Sequence, residues 1–310
     1  MEHLMKILVT GGAGFIGSHL VRALLNQGDE VVVFDCAPQL KLLESVLDRI
    51  TYIQGDAGSE ADLYRAVLSS GAEGIMHLGS IMAGACEKNP PAALQVNFRS
   101  TQVLLDACVT AGIKRMFYMS SISIYRQDAA EPVPDDGPLG PSNIYGLSKM
   151  ASELLCNWYA DNHGLDCRGI RPTWVWGPNR SRGITTLYTN GLINKFLANA
   201  PVHIETPEEK GDWVYVHDVV KAILLVWNAK APGHRFYTVC GELLTMRQVA
   251  EVAMKLFKNA SVTFDDSNAT TCPYAAAFDD SLIRNELGYY PEYTIEKAIC
   301  DYAQAMGWKA

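Results

Sequence analysis

The first half of the chain is built from apolar runs that alternate with amphipathic stretches. Ile7, Leu8 and Val9 form an unbroken apolar run, as in a strand buried on both faces. Gly11, Gly12 and Gly14 cut the run, and the spacing predicts strand, turn and helix over Lys6 to Leu25. A second strand, Glu30 to Phe34, ends in Asp35, and an amphipathic stretch runs on to Asp48. A strand at Ile50 to Gln54 closes on Gly55 and Asp56, before a helix at Ser59 to Leu68 and an apolar run at Gly74 to Leu78. Pro90 and Pro91 introduce a long helix, Ala92 to Ala111, with Val96, Val103, Leu104 and Ala107 on one stripe, and a strand follows at Lys114 to Ser120. Strand and helix alternating at this spacing predict right-handed crossovers and one parallel sheet with helices on both faces. Ligands of such sheets sit at the C-terminal strand ends, where Gly11, Asp35, Asp56, Gly79 and Ser121 fall.

Beyond about residue 170 the pattern is less regular. A loop rich in Pro, Gly and Trp (Arg171 to Gly183) precedes a helix near Leu187 to Ala198, a strand at Val202 to Glu205 and the segment Trp213 to Asp218. Further helices are expected at Val219 to Asn228, Met246 to Phe257 and Thr294 to Met306. The expected organisation is a nucleotide-binding domain over 1–170 and a smaller lobe over 171–310 that closes a substrate cleft and returns elements to the main sheet. No internal repeat or low-complexity tract interrupts it.

Composition narrows the class. With 310 residues, 48% apolar and 19% charged, the chain can bury a large core. No apolar run approaches a membrane span, and no cationic leader precedes the first strand, so the expected location is cytoplasmic. A net charge of −8 without a basic block argues against nucleic acid and against anionic membranes. The eight cysteines are scattered with no C-x-x-C pair, which indicates neither a disulfide framework nor zinc. No His, Asp or Glu spacing suggests another metal site. His77, His203 and His217 read as structural, with His217 and Asp218 tying the lobes together.

The glycines fall as G-x-x-G-x-x-G at Gly11, Gly14 and Gly17. Gly11 permits the tight turn, Gly14 admits a pyrophosphate close to the backbone, and Gly17 lets the helix sit close on the strand. The unpaired N–H groups of the helix start then face the phosphate. Asp35 stands at the distance the dinucleotide fingerprint requires, where a carboxylate accepts from ribose hydroxyls and repels a 2′-phosphate. The cofactor expected is NAD rather than NADP. Asp56 either reaches an adenine edge or caps the following helix.

Tyr145 and Lys149 lie four residues apart on one predicted helix, hence one turn apart on one face. A tyrosine, with a pKa near 10, is a poor base at neutral pH; an adjacent ammonium and an oxidised nicotinamide both favour the phenolate. Such a phenolate takes the proton of a carbinol while hydride leaves the same carbon. Ser121, at the tip of the neighbouring strand, would hold the same oxygen, and Lys149 would also hold ribose hydroxyls.

These motifs resemble the extended short-chain dehydrogenase/reductase family, also called the NAD-dependent epimerase/dehydratase family. The resemblance covers nearly the whole chain. It rests on TGGAGFIG (Thr10 to Gly17), Asp35, Gly55 with Asp56, His77 to Ser80, Asn97, SSISIY (Ser120 to Tyr125), YGLSK (Tyr145 to Lys149), RPTWVWGP (Arg171 to Pro178) and WVYVHDVV (Trp213 to Val220). It implies a Rossmann-type doubly wound parallel sheet with a smaller mixed α/β C-terminal substrate lobe, and often a homodimer through a four-helix bundle that includes the Tyr145 helix. It further implies NAD held by Gly11, Gly14, Phe15, Ile16, Gly17, Asp35, Asp56, Ala57, Leu78, Gly79, Ser80, Asn97, Tyr145, Lys149 and Pro172. Tyr145 would be the acid/base beside Lys149, with Ser121 as third member and Ser120 as the fallback.

The substrate side departs from the family pattern. Members acting on nucleotide-diphosphate sugars carry Asn where Trp174 stands and Arg where Gly211 stands. Losing a charge-assisted phosphate contact costs roughly 1.5 to 3 kcal/mol. Arg180 and Arg182 could take over an anion, or be solvated loop residues. Trp174, Trp176, Tyr188 and Trp213, with Thr185 and Thr186 between them, suit either a stacked polyol or the core of a small lobe. The substrate-side candidates are Ser121, Ser123, Tyr145, Trp174, Thr185 and Arg182. Ile122 and Ser123 stand where a dehydratase of this family carries Asp-Glu, which argues against dehydration. The expected activity is NAD-dependent oxidation of a sugar, sugar acid or related small hydroxy compound. The alternatives are a nucleotide-sugar 4-epimerase with tightly bound NAD and a non-catalytic NAD(H) sensor.

Overall fold

The computed structural model describes residues 4–186, 188–258, 261–266, 272 and 274–308. Strands β1 (Lys6–Thr10), β2 (Glu30–Asp35), β3 (Ile50–Gln54), β4 (Gly74–His77), β5 (Arg115–Met119), β6 (Asp166–Pro172) and β10 (Phe236–Val239) form one sheet. Its order is β10-β6-β5-β4-β1-β2-β3, and every neighbouring pair is parallel. The order reverses between β1 and β4, which opens a crevice at their C-terminal ends.

Helices cover both faces. Leu20, Val21 and Leu24 of α1 (Phe15–Gln27) pack with Val219, Ile223 and Trp227 of α8 (Val216–Asn228) on one side. On the other, Leu63 and Val67 of α2 (Glu60–Ser70), Leu104 and Cys108 of α5 (Ser100–Ala111), and Cys156 and Tyr159 of α6 (Ile144–His163) form the second layer. Ile7, Leu8 and Val9 are fully buried between the layers, which is why β1 is apolar without alternation.

Three local expectations change. Ser59, not Asp56, caps α2 by accepting from Asp62 N, while the exposed Asp56 accepts from Gly58 N in a tight turn. The single long helix after Pro90 is α4 (Pro90–Leu94), a π turn (Gln95–Arg99) and then α5. The wider turn carries Asn97, whose amide is drawn inward to Ile81 and Ser148. A short helix, α3 (Ala83–Lys88), precedes it where none was expected.

The second half holds β7 (Trp174–Trp176), β9 (Lys210–Tyr215) and β11 (Glu242–Thr245) in one small sheet, and β8 (Val202–Ile204) with β12 (Val262–Phe264) in another. Helices α7 (Asn190–Leu197), α9 (Met246–Leu256) and α11 (Ile295–Ala305) pack on them, and α10 (Ser281–Leu287) lies near β10. Trp176 stacks on Tyr302 and meets Trp213 and Tyr215 edge-on, so this lobe has an aromatic core of its own. By contrast, β10 joins the main sheet and α8 packs against it. Asp218 ties α8 to the start of α11 by accepting from Glu292 N and Tyr293 N. Among the described residues no helix is long and apolar enough to cross a membrane.

Candidate active site

The glycine turn is shaped by contacts that no side chain permits. Gly11 has φ 70°, and a Cβ there would stand 2.6 Å from Gly79 N at the end of β4. A Cβ on Gly17 would stand 2.2 Å from Gly11 O, so the close approach it allows is of α1 onto the turn itself. No side chain caps α1 and its first turn holds no acid, which leaves the N–H groups around Phe15, Ile16 and Gly17 facing the crevice. Asp35 accepts from Ala13 N and from Ala37 N, both at 3.0 Å, and so joins the end of β2 to the turn. Its neighbours Cys36, Ala37 and Pro38 carry no cation, so the site suits ribose hydroxyls and repels an added phosphate.

Around the crevice, Leu78, Gly79 and Ser80 are half-buried as β4 ends, and Leu78 N donates to Thr10 O. Asn97 is buried and holds the segment that follows. Its Oδ1 accepts from Ile81 N (2.7 Å), and its Nδ2 donates to Ile81 O (3.0 Å) and Ser148 Oγ (3.2 Å). His77 bridges Thr10 and Ser100 beneath Lys149, and burial pulls its pKa down to about 3, so it is a neutral strut. Ala57 is half-buried beside Asp56, and Pro172 is buried opposite Val239.

Tyr145 and Lys149 occupy one face of α6, which Asn143 caps by accepting from Gly146 N. A Cβ on Gly146 would stand 2.2 Å from Ser123 O, so the helix start is pressed onto the turn that carries Ser121. Lys149 is buried; its Nζ donates to Met119 O at 2.7 Å and lies 5.5 Å from the centre of the Tyr145 ring. Burial lowers its pKa to about 8, which leaves it mostly protonated at pH 7. Burial raises the pKa of Tyr145, whereas a hydrogen bond to Ser121 and the field of Arg180 lower it. Ser121 accepts from Ser123 N (3.2 Å) and Ser123 Oγ (3.0 Å). The Ser121 hydroxyl hydrogen-bonds the Tyr145 phenol, whereas the buried Ser120 hydroxyl has no partner among the described residues.

The substrate side differs more from expectation. Trp174 is only 3% exposed, stacked on Tyr188 and tilted against Trp213, so it is part of the lobe core. Trp176 and Trp213 are buried there too. Thr185 is buried and accepts from Arg180 Nη2 (2.7 Å), and the Ser123 hydroxyl is directed to Ser121. Arg182 is exposed; it is Arg180 that turns inward, because Val175 O, Thr185 and Thr189 satisfy its donors there. Tyr274 was not anticipated. It stands near Tyr145 and hydrogen-bonds the Asn143 side chain, with burial raising its pKa to about 12.

Comparison with known proteins agrees with this geometry. The chain is 32% identical over 257 residues to the UDP-glucose 4-epimerase of Mycolicibacterium smegmatis, covering 79% of this chain and 80% of the relative. It is 33% identical over 220 residues to the D-erythronate dehydrogenase of Cupriavidus necator, covering 66% and 67%. Among solved structures, the UDP-glucuronic acid 4-epimerase of Bacillus cereus in complex with UDP-glucuronic acid and NAD superimposes with a TM-score of 0.83 at 25% identity, covering 98% of this chain and 99% of that one. Residues 7–240 match the NAD dependent epimerase/dehydratase family. The chain is therefore an enzyme whose cofactor is NAD, and it belongs to the NAD dependent epimerase/dehydratase family.

Proposed function

We propose that this enzyme is a dehydrogenase of a small hydroxyl-bearing compound, a sugar, sugar acid or relative of these, and not a nucleotide-sugar epimerase. The observation that carries the reading is the contact between Trp174 and Gly211. A Cβ on Gly211 would stand 2.4 Å from the indole of Trp174. Family members acting on nucleotide-diphosphate sugars commonly carry Asn where Trp174 stands and Arg where Gly211 stands, and here the indole lies where a side chain on residue 211 would begin. The relative named D-erythronate dehydrogenase supports the same direction.

Bound NAD supplies the hydride acceptor. Gly11, Gly14, Phe15, Ile16 and Gly17 would hold the pyrophosphate with backbone N–H groups, and Asp35 the adenosine ribose. Lys149, with donors beyond its bond to Met119 O, would hold the second ribose. Tyr145 takes the proton of the substrate hydroxyl as the carbon beneath it loses hydride, leaving a carbonyl, and Ser121 holds that oxygen. In reverse, the phenol protonates the carbonyl. Lys149, 5.5 Å from the centre of the Tyr145 ring, would favour the phenolate through its charge, alongside the Ser121 hydrogen bond and Arg180, against the burial that holds Tyr145 protonated. We infer that the lobe formed by the two small sheets covers the substrate. We also infer a homodimer through α5 and α6, where Val109, Leu147, Leu154 and Trp158 are exposed.

The test is the fate of the reducing equivalents. Purified protein supplied with NAD and a panel of small polyols and hydroxy acids should release NADH. Interconversion of UDP-glucose and UDP-galactose on tightly retained NAD, with no NADH released from the panel, would reverse the assignment.

A further inference from the structure

The loop from Gly177 to Thr186 runs from the start of α1 to the segment that follows β4. Gly177 faces the Phe15 ring at the first turn of α1, and Gly183 faces the Met82 side chain just beyond β4. Within the loop Arg180 turns inward. Its Nη1 donates to Val175 O and to Thr189 Oγ1 (3.2 Å), its Nη2 to Thr185 Oγ1 (2.7 Å), and its Nε points to Arg182 O (3.4 Å). All four acceptors are neutral. Two buried arginines show the contrast, since Arg168 holds Asp166 and Arg171 holds Glu153 and Asp135. Among the described residues no carboxylate lies within ion-pair distance of Arg180. A guanidinium drawn into the fold with neutral partners alone keeps its charge for an incoming anion.

A second group meets it. Among the described residues, the buried Thr186 hydroxyl has no hydrogen-bond partner. A Cβ on Gly183 would stand 2.9 Å from Arg180 Nη2 and 3.6 Å from Thr186 Oγ1, so both donors lie against the bare Cα of Gly183, where any side chain would crowd the guanidinium. Gly183 has φ 112°, a conformation that itself favours glycine. Met82 forms an apolar wall of the same space. The charge of the guanidinium also reaches Tyr145, so the two groups are near neighbours.

The geometry points to Arg180 and Thr186 as the seat of a carboxylate on the substrate, which makes that substrate a short hydroxy acid oxidised at the carbon facing Tyr145. This inference rests on the dehydrogenase reading and narrows it. The guanidinium itself carries neither proton nor hydride; besides its field on Tyr145, it sets which carbon meets the phenol, and is a binding group. The other anion available to it is the cofactor's pyrophosphate, and measuring NAD affinity separates the two.

Wild type, R180Q, R180K and T186V are compared on D-glycerate, D-erythronate, L-threonate and 3-hydroxybutyrate, and on the methyl ester of each. NADH formation gives kcat/KM, fluorescence quenching gives the Kd of NAD, and circular dichroism reports folding. Wild type should oxidise at least one acid and favour it over its ester by about tenfold to a hundredfold. R180Q should lose that preference while its Kd for NAD stays within about twofold of wild type. R180K and T186V should keep part of it, and they carry the test if R180Q fails to fold. Wild type oxidising esters or neutral polyols as readily as acids overturns the carboxylate seat and leaves the dehydrogenase reading intact. An unchanged preference in R180Q, or a loss in NAD affinity in place of acid preference, overturns it equally. No NADH from any compound, together with interconversion of nucleotide sugars, overturns both.

Discussion

The indole of Trp174 lies directly against the Cα of Gly211, close enough that a methyl group on residue 211 would overlap the ring. The two positions therefore depend on each other. Gly211→Ala should destabilise the protein by about 1 to 3 kcal/mol as an overpacked site. The same change in a Trp174→Asn background should cost much less, giving a measurable coupling in a double-mutant cycle by chemical denaturation. Additive effects would show that the ring moves aside freely.

Tyr145→Phe removes one oxygen from a buried ring and leaves the glycine turn untouched. Turnover should fall by about 10²-fold or more while the Kd of NAD changes little. Activity that survives the change would assign the base elsewhere.

Asp35 holds Ala13 N and Ala37 N and adds its full charge where a 2′-phosphate would lie. NADH should be preferred to NADPH by at least about tenfold in kcat/KM, from a repulsion of about 1.4 kcal/mol or more. Asp35→Ser should narrow the ratio. Equal use of both cofactors by wild type would refute the assignment.

Asp212 is buried between Thr173 Oγ1 (2.6 Å) and Gly241 N (2.7 Å). Burial raises its pKa from an ordinary 3.8 to about 6. Between these values the folded state holds a proton that the unfolded state has lost. Stability therefore falls as pH rises through this window, by at most about 1.4 kcal/mol per pH unit from this group. Below the window the burial penalty is absent, and above it the penalty is fully present. Asp212→Asn should flatten that part of the stability profile in denaturation measured from pH 4 to pH 7, relative to wild type. Parallel profiles for the two proteins would contradict the assignment.

Leu147, Leu154 and Trp158 share one exposed stripe of α6. If this stripe joins two subunits, Trp158→Glu should shift the protein from dimer to monomer in sedimentation, with NAD binding retained. A wild-type monomer at micromolar concentration would remove the basis for it.

The parts legible in the sequence are those dictated by local backbone geometry. Gly11 and Gly17 announce themselves because no other residue fits, and Tyr145 and Lys149 because helical spacing alone puts them on one face. Arg180 and Arg182 carry no such signal. They lie two residues apart in an irregular loop without a period, and only the acceptors offered by Val175, Thr185 and Thr189 decide which one turns inward. The π turn at Asn97 was hidden for a related reason, since the demand for the wider turn comes from Ile81 and Ser148, far away in sequence. Strand β10 is four residues long and is defined by the edge of β6 more than by its own pattern.

That last strand has a consequence for how the protein is made. The cofactor crevice is encoded near the N-terminus, yet the sheet beneath it is complete only when Phe236–Val239 joins β6, and α1 is covered only once α8 exists. A fragment ending at residue 170 would cut β6 short of Pro172, leave its edge without β10, and expose the side of α1 that packs on α8. Released early by ribosome or protease, it should self-associate before it can serve as a free-standing NAD-binding unit, which favours selection on the chain as a whole.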